Sequence, residues 1–178
     1  MKVGKILVLV GALLTLVSTF FFSFGQTNGA DGRTLISGIG FLFNLPEIIT
    51  DVNYWVTFNG GEVMIIYIVS ITLLVFLVSG ILQLVGLINR IVAIIGSLLV
   101  LSIGIVIILA IMIDIPGWGL NQYSSLLWRA PIADGVWPFD LPIVNVATVF
   151  YQTLSLGSIT LVAGGALGLV GGILGIKD

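Results

Sequence analysis

Residues 63–113 read VMIIYIVSITLLVFLVSGILQLVGLINRIVAIIGSLLVLSIGIVIILAIMI, and these letters decide the fold. Asn89 and Arg90 divide the stretch into two uncharged runs, 63–88 and 91–113, the second holding sixteen Leu, Ile or Val residues. At 1.5 Å per helical residue each run exceeds the roughly 30 Å of a hydrocarbon core. Summed on the insertion scale, such runs favour membrane entry by roughly 5–10 kcal/mol as an upper bound. Two long apolar runs joined by so short a connection form an antiparallel hairpin that turns at the headgroups.

The rest of the chain agrees. Of 178 residues, 58% are hydrophobic and 8% charged, against about 25% charged in an ordinary soluble domain. The mean hydropathy is +1.26. Residues 6–24 are free of charge and long enough for another span. A last apolar run covers 143–176, after Asp140, Leu141 and Pro142, which suit a cap with Pro in the first turn. Its length predicts a tilted helix or one that projects beyond the bilayer. The expectation is an all-α membrane protein, one integral domain over 1–178, built as a bundle of four transmembrane helices. A second reading makes residues 1–25 a signal peptide, with Ser23 and Gly25 as the small residues before a cut at Gln26; three spans would then remain. The length of the apolar run and Phe24 at the cut favour retention.

Lys2, Lys5, Arg90 and Lys177 fall on one side of this layout, and Arg33 and Arg129 share the other with seven of the eight acids. The positive-inside rule then predicts a cell-membrane protein with both termini and the Arg90 turn cytoplasmic, and with loops 25–62 and 114–142 outside. This span order resembles that of claudins and other tetraspan families. The resemblance is confined to span order. The claudin first-loop signature of Trp, Gly, Leu, Trp and two Cys has no counterpart in a chain without Cys, so no residue roles are carried over.

In the first outer loop, Gly25 to Gly32 is turn chemistry. Residues 35–43 are apolar but too short to cross, and must lie against the bundle, dip into the membrane or pair as a strand. Asn44 with Glu47 three residues on suits a capping box. Leu45, Ile48, Ile49, Val52, Trp55 and Val56 then share one face of an amphipathic helix over about 45–56, lying flat at the outer interface with Trp55 at headgroup depth. Glu47 and Asp51 are too few for a Ca²⁺ site, and a solvated acidic face is preferred. The second outer loop carries Trp118, Trp128 and Trp137 among prolines. An interfacial aromatic belt is preferred over a partner-binding surface. The sharper possibility is one outer cap made of both loops, with aromatic residues on another subunit.

Within the membrane, Thr160, Gly164, Gly168 and Gly172 recur every fourth residue and give the fourth helix a smooth face for close packing, against this chain or a second copy. Gly171 and Gly175 form a second pair. Asn145, Thr148, Gln152 and Ser155 follow the helical period in the outer half of the same helix and, with Gln83, form a possible neutral polar lining. An exterior turn plus interhelical hydrogen bonds is the preferred account.

No ionisable residue lies in mid-span, which removes the proton relays and voltage sensors that need one. Without Cys or His, and with no GxSxG, Walker A or HExxH pattern, no catalytic, cofactor or metal site is expected. A net charge of −2 without a basic run argues against nucleic acid. The expected function is a structural or interaction subunit of the lipid bilayer, a homo-oligomer or one of several membrane subunits. A channel or transport component is the alternative.

Overall fold

The computed structural model describes residues 3–29, 32–112, 124–127, 138–139, 141–146 and 152–175. Among the described residues four helices are long and apolar enough to cross a membrane: α1 (Val3–Phe20), α4 (Val63–Val85), α5 (Arg90–Met112) and α6 (Leu156–Leu174). Between α1 and α4 stand strands β1 (Gly25–Gly29) and β2 (Gly32–Ile36) and two short helices, α2 (Gly38–Thr50) and α3 (Val52–Asn59). Between α5 and α6 lie a 3₁₀ turn, Ser124–Leu127, and strands β3 (Pro142–Val146) and β4 (Gln152–Ser155). The chain is a multi-pass membrane protein whose four apolar helices form a bundle, with a small sheet added at one end.

The long helices show little difference between faces because bilayer and core are equally apolar. Ile68, Ile71, Val78 and Ile81 of α4 are exposed, while Ile66, Leu73, Phe76 and Leu77 of the same helix are buried. The sheet is antiparallel in the order β2-β1-β4-β3, so β1, which follows the first span, pairs with β4, which precedes the last. Gly25 faces Leu154 across that pairing, and the Gly157 amide donates to the Ser23 carbonyl at 3.1 Å as the two chains continue into α1 and α6. The sheet therefore extends the antiparallel α1–α6 pair beyond the bundle.

Two expectations are corrected. The last span does not begin at 143: residues 142–146 and 152–155 are strands, and α6 starts only at Leu156. Pro142 opens an edge strand, where a residue without an N–H is tolerated, rather than capping a helix. The amphipathic segment is two helices instead of one over 45–56. Ser37 is the N-cap of α2, its hydroxyl accepting from the Gly40 amide at 3.1 Å, so Asn44 and Pro46 lie inside the helix. Asp51 ends α2 and caps α3, accepting from the Tyr54 amide at 3.2 Å. Residues 35–43 accordingly divide between β2 and α2.

Candidate functional site

The fourth span is held by its missing side chains. A Cβ built on Gly164 would stand 2.8 Å from the Gly11 carbonyl oxygen and from Thr15 Oγ1. One on Gly171 would stand 2.6 Å from the Gly4 carbonyl oxygen. Thr160 adds a polar rivet, its hydroxyl 2.6 Å from that of Ser18. These residues face α1.

Gly168 faces elsewhere, toward Ser97 of α5 and Gln83 of α4, with 2.8 Å from its virtual Cβ to Gln83 Nε2. Gly172 meets Ile94 of α5 at 2.8 Å, and Gly165 meets the Leu101 amide at the same distance. The reason is the helical period. Residues four apart advance by about 40° around the axis, so over three steps the stripe winds through about 120° and passes from one neighbour to the next. All four stripe residues thus pack within this chain.

Gln83 is fully buried. Its Nε2 donates to Ser97 Oγ at 3.1 Å, Ser97 donates to the Ala93 carbonyl at 2.6 Å, and Gln83 Oε1 has no partner among the described residues. The structure does not bring Gln83 together with Asn145, Gln152 or Ser155. Asn145 lies in β3 opposite Thr153, Gln152 in β4 opposite Val146 and Thr27, and Ser155 ends β4 as a buried residue before α6. Thr148 lies outside the described residues. Lying in strands and not on a helix, Asn145, Gln152 and Ser155 form no helical stripe.

At the sheet end of the bundle, the 3₁₀ turn packs with α2 and α3 into a cap. Leu126 and Leu127 of the 3₁₀ turn are buried, and Leu127 accepts from the Ser37 amide at 3.1 Å. Asn44 Nδ2 donates to the Leu126 carbonyl at 3.0 Å. Ser125 donates to Asn59 Oδ1, and Asn59 Nδ2 donates to the Trp55 carbonyl at 2.8 Å. Sequence reasoning missed the roles of Asn44, Asn59 and Ser125. The available signal was an Asn set on an otherwise apolar helix, a residue that is costly to bury without a partner.

Trp55 is buried within the protein, 2% exposed and in one cluster with Ile48, so Leu45, Ile48, Val52, Trp55 and Val56 turn inward onto the bundle while Ile49 stays exposed. Trp55 Nε1 has no partner among the described residues. Trp118, Trp128 and Trp137 lie outside those residues. What α3 turns outward is Tyr54 and Phe58, stacked with centroids 6.2 Å apart and planes 20° from parallel, Phe58 being 57% exposed.

At the opposite end, the Arg90 guanidinium donates to the Ile173 carbonyl at 2.9 Å, meeting the unsatisfied carbonyls at the close of α6. Among the described residues no group of three or more acidic, His or Cys side chains is placed to hold a metal ion. No family model, curated protein or solved structure matches this chain.

Proposed function

We propose that this multi-pass membrane protein is a non-enzymatic structural or interaction subunit of the cell membrane, self-assembled or held in a larger membrane complex, and that it meets its partner through the outer cap. The observation that carries this is the exposed Tyr54–Phe58 stack on a helix whose other face is fixed by buried Trp55 and Asn59. Aromatic residues held rigidly lose little entropy on contact, which suits them as anchors of an interface. The orientation with both termini cytoplasmic draws support from the clustering of charge: Lys5 and Arg90 lie at the end where α1 begins and α6 closes, and Glu47, Asp51 and Glu62 at the other.

Copurification from native membranes tests the proposal. Phe58→Ser is expected to remove the partner, or reduce the native complex to the single chain, while insertion and thermal stability stay near the parent. Unchanged migration and unchanged company would count against it.

A further inference from the structure

The α4–α5 hairpin is closed at one end and open at the other. At the turn, a Cβ on Gly86 would lie 2.5 Å from Ala93 Cα, so the backbones nearly touch. Toward the sheet the two helices enclose a cavity of about 300 Å³, walled by Leu73 of α4 and Ile103 and Ile107 of α5, and roofed by Ile36 of β2 and Leu127 of the 3₁₀ turn. Its mouth is lateral, because Val106, which lines it, is 39% exposed and Thr72 is exposed as well. Ile68 and Ile71 on one helix and Ile105 and Leu109 on the other present apolar surface around that mouth, as lipid-facing residues do.

We infer that this cleft holds one acyl chain of a bilayer lipid. The lining contains a single hydroxyl, Thr72 Oγ1, which already donates to the Ile68 carbonyl at 2.8 Å. A buried water needs two to four polar partners and finds at most one here, the acceptor side of that hydroxyl. A headgroup or a peptide backbone would leave its polar atoms unsatisfied. An empty cleft would forfeit dispersion contacts along its whole wall. The volume is roughly twice that of an engineered apolar cavity that accepts benzene, enough for a length of hydrocarbon chain. A mouth between two spans gives that chain direct entry from the bilayer. The assignment is independent of how the cap engages a partner.

The test uses the full chain in nanodiscs of phosphatidylcholine bearing a diazirine on one acyl chain. After photolysis, adducts at Leu73, Ile103 and Ile107 should exceed those at Ile81 and Ile95, exposed residues of the same two helices, by roughly fivefold or more. Filling the cleft with Ile107→Trp should bring labelling down to the level of Ile81 and Ile95, and Ala110→Leu gives a smaller filling should the larger residue unfold the protein. Equal labelling at both sets of positions, or labelling that both filled variants leave unchanged, would overturn the assignment. So would a photoreactive residue at Val106 that crosslinks two copies of the chain instead of capturing a lipid.

Discussion

Gly11 and Gly164 face each other so closely that a methyl group on the first would stand 2.6 Å from the carbonyl oxygen of the second. Without a hydrophobic drive between helices in lipid, the α1–α6 pair depends on this closeness. Gly11→Ala and Gly164→Ala should each lower stability in mixed micelles by about 1–3 kcal/mol, the usual cost of overpacking. Gly96→Ala should cost less, because its nearest neighbour would be 3.1 Å away. Equal losses at all three positions would refute the ranking.

Ser18 and Thr160 couple the same two helices through their hydroxyls. A double-mutant cycle with Ser18→Ala and Thr160→Val should give a coupling of about 0.6 kcal/mol, the average for such bonds in membranes, and no more than about 1.7. Additive losses would show that the contact holds nothing together.

Around Gly168, repulsion and hydrogen bonding are linked. Gly168→Ala should destabilise by about 1–3 kcal/mol, since Ser97 is tied to the Ala93 carbonyl and cannot retreat. Adding Ser97→Ala should recover part of that loss. Gln83→Leu removes a buried carbonyl oxygen that has no partner and orphans no donor, so its stability should stay within about 1 kcal/mol of the parent or exceed it. Thermal denaturation of the four proteins decides this.

A chain without cysteine allows clean topology mapping. Asn89→Cys in the α4–α5 turn should resist a membrane-impermeant maleimide applied to intact cells and react after permeabilisation. Asn53→Cys on α3 should react from outside. The reverse pattern would invert the orientation.

Much of the bundle was legible because bilayer solvation imposes a length and a polarity that single residues report. Runs near 63–88 and 91–113 have no soluble interpretation, and the separating Asn89 and Arg90 locate the turn. Residues 143–146 and 152–155 depart from the helical reading because apolar β-branched residues suit strand and helix alike, and the strand at 152–155 is decided by distant pairing with Gln26 and Thr27. Those partners themselves read as turn residues. Asn44 misled in another way: its spacing from Glu47 matches a cap, but Ser37 begins the helix a full two turns earlier and leaves Asn44 to bind Leu126. The inward face of Trp55 was hidden for the same reason, since the surface it packs against comes partly from the 3₁₀ turn of the second loop.

Because Ser18 meets Thr160 across 142 positions, α1 leaves the ribosome well before the α6 residues that fill its glycine groove. At ordinary elongation speeds that interval lasts roughly 7–30 s. Over that interval Gly4, Gly11 and Thr15 of the nascent chain stand without their α6 partner, the Thr15 hydroxyl held meanwhile by the Gly11 carbonyl of its own helix.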